Sequence, residues 1–229
     1  MAAVGQHRTS AFAAQLAKAV AAHRAGDLAT AEKRYRTLLK QRPGTARVHA
    51  NLGAALRAQG RLAEAASECR DAIALDPSLA DAHHNLGNVL ATVGDHGAAV
   101  DAFERAAALV PEDAETSAAL TEAAVRAAEA HLSCGRNDAA VDLCRRVLAR
   151  LPHAASVHAT LGTALRAAAQ PAAAVQSYRA SLSFAPGNAI VYSNLGLALG
   201  DIGDLAGAVE ADRRAIIPGC CRRLPLRSS

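Results

Sequence analysis

The strongest constraint in this sequence is a spacing. Pro43, Pro77 and Pro111 lie 34 residues apart, and so do Pro152 and Pro186. The interval from Pro111 to Pro152 is 41, a slip of 7. Glycines keep the same step: Gly26, Gly60 and Gly94 at intervals of 34, Gly135 after a further 41, and Gly203 another 68 along, with Ala169 in the slot between. Two residue types that share one period and one slip mark an internal repeat. A repeat of this length is one supersecondary unit, which cannot bury its apolar face without neighbours.

Each unit reads as helix, glycine turn, helix, proline break. In residues 46–79, Leu52 and Leu56 are four apart and stack on one helical face, with Gly53 beside them to let another helix come close. Gly60 suits the left-handed end of that helix. Ala65, Cys69 and Ala72 mark one face of the next helix, which Pro77 ends because proline cannot continue it. Apolar residues make up 51% of the chain, mostly Ala, Leu and Val, while aromatics are only 3%, so close-packed helix is favoured over disorder. A second duplication lies above the first. Val48–Ala58 (VHANLGAALRA) recurs as Val157–Ala167 (VHATLGTALRA) with nine of eleven residues identical, 109 positions on. The slip of 7 is close to two helical turns, so it lengthens a helix without turning its apolar face away.

These residues resemble the tetratricopeptide repeat, whose signature has Leu-Gly in the first helix, two alanines and an aromatic in the second, and a closing proline. The fullest set is Leu86, Gly87, Gly94, Ala99, Phe103, Ala106 and Pro111. Leu161, Gly162, Ala174, Tyr178 and Pro186 form another, and Leu195, Gly196, Gly203, Ala208 and Ala215 a third. The first unit (Gly26, Ala31, Tyr35, Pro43) and the fourth (Gly135, Ala140, Pro152) lack the Leu-Gly pair. The resemblance implies an all-α solenoid of about six antiparallel helix-turn-helix repeats wound into a right-handed superhelix. The expected organisation is an N-terminal extension over 1–11, repeats one to three over 12–113, a two-turn helix insertion over 114–120, repeats four to six over 121–217, and a basic, disordered tail over 218–229.

In this family the first helices line a concave groove that holds partners as extended peptides. The resemblance implies groove positions at Arg47, Asn51, Ala54 and Arg57 in repeat two and at His84, Asn85, Asn88 and Thr92 in repeat three. Thr160, Thr163 and Arg166 follow in repeat five, and Ser193, Asn194 and Asp201 in repeat six. Asn51, Asn85 and Asn194 share the slot before Leu-Gly, and an amide both donates and accepts, so a column of them can pair with any peptide backbone. The column is similar to the asparagine ladder in the repeat region of O-linked N-acetylglucosamine transferases. Thr160 interrupts it, and the alternative of consensus residues facing water stays open. The lysine-bearing clamp by which some relatives hold a terminal carboxylate is not expected, because the groove of repeats two to six has no lysine.

His49, His83 and His158 share another slot, with Tyr192 in repeat six. One repeat apart, they stand at the spacing of packed helices, roughly 8–10 Å, too far to share a metal ion, so packing between hairpins is expected of them. Cys69 and Cys144 fill the slot of Phe103 and Tyr178 and are expected to be buried. The five cysteines are odd in number and scattered, without a CxxC pair, so neither a disulfide framework nor a zinc site is indicated.

The net charge of +4 rests largely on Arg222, Arg223 and Arg227 near the end, so the body is near neutral and no nucleic-acid partner is expected. No stretch of 18 apolar residues occurs, so no membrane partner is expected, and the chain reads as cytoplasmic. Phosphate loops, nucleophile motifs and paired carboxylates are missing, so neither catalysis nor a cofactor is expected. The function indicated is a non-catalytic scaffold binding protein or peptide segments. A second reading is the repeat portion of a glycosyltransferase-like protein, presenting acceptors to a catalytic domain not contained in the sequence. Repeat six departs from the pattern after Ala215, with Pro218 and Gly219 following, so it is expected to be a frayed or sticky end, either paired with another copy or truncated from a longer chain.

Overall fold

The computed structural model describes residues 2–216, with side chains from residue 11 onward. Among these residues are twelve α-helices and no strand. They are α1 (Ala2–Arg24), α2 (Leu28–Gln41), α3 (Ala46–Ala58), α4 (Leu62–Leu75), α5 (Ala80–Val93), α6 (His96–Leu109), α7 (Ala114–Ser133), α8 (Asn137–Leu148), α9 (Ala155–Ala167), α10 (Pro171–Phe184), α11 (Ala189–Asp201) and α12 (Leu205–Ile216). The array of helix-turn-helix repeats expected from the spacing is the fold observed. The helix α1 includes residues 2–11, and α7 has 20 residues where α3, α5, α9 and α11 have 13 or 14. Residues 218–229, assigned above to a basic tail, lie outside the described residues.

The chain divides into two compact units, Met1–Leu120 and Thr121–Ser229. In the first, α1 packs on α2, α3 on α4 and α5 on α6; in the second, α9 packs on α10 and α11 on α12. Successive hairpins touch through α2 and α3, α4 and α5, α8 and α9, and α10 and α11. First helices also contact one another, α1 with α3, α3 with α5 and α9 with α11, so within each unit they form a layer of their own.

Local chemistry sets the joints. Five of the six hairpin turns hold a glycine at positive φ, at Gly26, Gly60, Gly94, Gly135 and Gly203, and the sixth holds Ala169 at φ 57°. Second helices start on carboxylate caps where the sequence supplies them: Asp27 accepts from the Thr30 amide and Asp95 from the Ala98 amide, each at 3.1 Å. The helices α2, α4, α6 and α10 each stop two residues before a proline of the series.

The Leu-Gly pair explains itself in the packing. A Cβ on Gly87 would lie 2.6–2.9 Å from the ring of Phe103, and one on Gly162 equally close to Tyr178. On Gly53 it would meet Cys69 Sγ at 2.6 Å. Cys69, Phe103 and Tyr178 are therefore knobs filling the space left by a missing Cβ on the partner helix. Cys69 and Cys144 are buried as expected, and burial pushes both thiols up to about 12.

In repeats two to five one slot is buried: Ala66, Val100, Val141 and Val175 are each under 10% exposed. In repeat six the same slot is Val209, 52% exposed, flanked by exposed Leu205 and Ile216.

Candidate functional site

The layer of first helices carries the residues singled out for a groove. In the first unit, α1 and α3 hold Arg8, Lys18, Arg24, Arg47 and Arg57 and no acidic residue at all. Arg24 and Arg47 are exposed and Arg57 is half-buried. None of these three has an ion-pair partner among the described residues, and the Arg57 Nε is buried without a hydrogen bond. Arg57 lies close enough to His23 to act on it: burial first, and then the Arg57 charge, hold His23 below the usual histidine range. Asn51 is half-buried beside them on the same helix.

On α5 the expected residues are already engaged. Asn85 donates from Nδ2 to the Ala50 carbonyl at 3.1 Å, tying α5 to α3. His84 Nδ1 lies 2.8 Å from Thr116 Oγ1, its Nε2 lies 3.6 Å from a Glu115 carboxylate oxygen, and its ring meets Phe103 edge-on. Asn88 is half-buried, and its carbonyl accepts from the Thr92 hydroxyl at 2.7 Å.

In the second unit Arg166 and Asp201 answer one another. Arg166 Nε donates to Asp201 Oδ2 at 2.6 Å, joining α9 to α11 and raising the arginine further. Thr160 donates back to the Ser156 carbonyl, and Thr163 lies between the Ala159 carbonyl and the Tyr178 hydroxyl. Asn194 is half-buried without a side-chain hydrogen bond among the described residues. Arg126, in the asparagine slot of repeat four, pairs with Glu129 at 3.5 Å. Arg126 and Arg166 are thus paired in this unit, while Arg24, Arg47 and Arg57 have no ion-pair partner among the described residues.

The three histidines of the shared slot have one task in common that the sequence did not reveal. His49, His83 and His158 each place Nε2 at 2.9–3.0 Å from the carbonyl of the proline six residues earlier, Pro43, Pro77 and Pro152. A carbonyl only accepts, so Nε2 carries the hydrogen in all three.

Tetratricopeptide repeat models match residues 16–80 and 159–221, more than half of the chain, and a further one matches 80–113. The chain belongs to the tetratricopeptide repeat family. The matched residues leave out 114–158, which holds the longer α7 and a repeat without Leu-Gly. No curated protein matches the sequence. Among solved structures, YrrB, described as a TPR protein with an unusual peptide-binding site, is similar at a TM-score of 0.57 and 20% identity, over 80% of this chain and 90% of that one. MamA from Desulfovibrio magneticus RS-1 (residues 41 to the end) gives 0.53 and 19%, over 75% of this chain and 93% of its own. A double mutant of MamA RS-1 gives 0.54 and 19%, over 75% and 92%. At these identities the likeness is one of fold.

Proposed function

We propose that this protein is a non-catalytic cytoplasmic scaffold that holds an acidic peptide segment along α1 and α3. The observation that carries the reading is the run of first-helix cations without a counter-charge, Arg24, Arg47 and Arg57, on helices devoid of Asp and Glu. Nearby repeats of similar architecture neutralise such residues internally, as Arg166 does with Asp201. Unpaired arginine, with five donors in a planar fork, suits carboxylates. The peptide-binding site named for YrrB supports this use of the fold. In this reading Asn51 contacts the peptide backbone beside the arginines and Asn88 extends the contact onto α5, while Asn85 and His84 hold the repeats together.

The test is fluorescence anisotropy with an acidic, extended peptide and its Asn/Gln counterpart. The acidic peptide should bind more tightly, and salt should weaken it. Exposed charge pairs contribute about 0.2–1 kcal/mol each, so replacing Arg24, Arg47 and Arg57 together with Ala should weaken binding roughly tenfold. Equal binding of the two peptides, or no effect of the triple substitution, would discard this reading.

Two further aspects rest on separate observations. Asn51 and Asn194 keep amides without partners among the described residues, which suits the alternative of presenting protein acceptors to a separate catalytic domain. The exposure of Val209, with Leu205 and Ile216 at 72% and 77%, supports self-association through repeat six, because the equivalent slot is covered in repeats two to five.

A further inference from the structure

His49 differs from its two equivalents in what its other nitrogen faces. Its Nδ1 lies 2.7 Å from Glu68 Oε2 on α4, with both side chains less than 20% exposed. Asp71, one turn further along α4, brings a second carboxylate, and the three ligand atoms lie within 4.8 Å of one another. At the corresponding places, repeat three has Ala102 and Arg105 and repeat five has Ser177 and Ala180, so neither His83 nor His158 has a carboxylate there.

With the Nε2 hydrogen committed to Pro43, a neutral His49 presents its Nδ1 lone pair to Glu68. A carboxylate is itself acceptor-only, so two lone pairs face each other unless a cation sits between them. A second proton would satisfy the His49–Glu68 pair and would need no Asp71. A metal ion uses all three. The Pro43 carbonyl then plays the part that backbone carbonyls play behind metal-bound histidines: it fixes the tautomer and orients the ring.

We propose that His49, Glu68 and Asp71 form a divalent-metal site of the zinc class, a function separate from peptide binding. One imidazole and two carboxylates, with room for water, fit an open tetrahedral ion of borderline softness. Bonds of about 2.0–2.1 Å in a tetrahedron keep ligand atoms roughly 3.3 Å apart. Reaching that geometry requires the 2.7 Å contact to open slightly and the exposed Asp71 side chain to turn inward. The ion would clip α3, α4 and the Pro43 loop together. Mg(II), which takes oxygen ligands and keeps its water, would not compete.

The experiment uses the full chain with Cys220→Ser and Cys221→Ser, stripped of metal under reducing conditions. Co(II) is titrated and read by its visible ligand-field absorption, then displaced by Zn(II); thermal melting is followed with and without Zn(II). The expected result is one Co(II) per chain, displaced by Zn(II) and not by Mg(II), and a Tm raised by Zn(II). Asp71→Asn leaves the His49–Glu68 pair in place and should weaken binding tenfold or more; His49→Ala should abolish it. His158→Ala, which loses the same proline bond without touching the cluster, should bind as the parent does. An unchanged cobalt spectrum, absent binding, or equal binding by the Asp71→Asn variant would overturn the site and leave His49–Glu68 a proton-bridged pair.

Discussion

Replacing Ala169 with glycine should stabilise the α9–α10 hairpin. Ala169 sits at φ 57° in the turn, where the other five hairpins have glycine at φ 69–91°. An L-residue in this region costs roughly 1–2 kcal/mol. Glycine removes that cost but gives back about 0.5–1 kcal/mol through the greater freedom of its unfolded chain. Packing does not enter, since a Cβ at Gly26, Gly60, Gly94, Gly135 or Gly203 would meet nothing within 4 Å. The net gain is about 0.5–1 kcal/mol, and the reverse change, Gly60→Ala, should lose a similar amount. Urea denaturation followed by circular dichroism measures the size. Native-state hydrogen exchange localises it, because an array transmits stability mainly to nearest neighbours. Destabilisation by Ala169→Gly together with a neutral Gly60→Ala would show that something other than backbone strain governs these turns.

Gly87→Ala should destabilise the chain by about 1–3 kcal/mol through overpacking on Phe103, and Phe103→Leu in the same chain should recover part of the loss; a denaturant cycle over the four proteins reads the coupling. Glu32 is held at about 2, against an ordinary 4.5, by hydrogen bonds from Arg36, Arg61 and Gln59. Its contribution is therefore present above pH 4.5 and disappears as the pH falls towards 2, so melting temperature should drop across that window, and drop less in Glu32→Gln. In the Cys220→Ser, Cys221→Ser background, a thiol reagent should label exposed Cys134 at once and buried Cys69 and Cys144 only on unfolding, as counted by mass spectrometry. Val209→Glu with Leu205→Ser should reduce any concentration-dependent growth of particle size seen by light scattering.

The periodic features were legible because they obey the repeat. Helix ends follow Gly and Pro, and Leu52, Leu56, Ala65, Cys69 and Ala72 are all buried as their spacing requires. The asparagine and histidine slots were legible as columns, yet their partners were not. Asn85 reaches Ala50, 35 residues back, and Arg166 reaches Asp201, 35 residues forward, because neighbouring first helices pack one residue out of step with the repeat. A search for opposite charges at 35 rather than 34 would have found the second pair. The His49–Glu68 contact depends on how far α4 rotates against α3, which no linear spacing encodes.

The bond from histidine to the proline carbonyl spans six residues in the loops that open α3, α5 and α9. Such a tie measures the joint: a residue added between proline and histidine would carry the ring away from its acceptor. At two further joints another residue stands in the histidine's place. Six residues after Pro111 stands Ser117, and six after Pro186 stands Tyr192. The one departure from the 34-residue period begins after Pro111, at a joint without the histidine, and it is taken up by lengthening α7. The imidazoles therefore mark three joints where tolerance to a change of length is low.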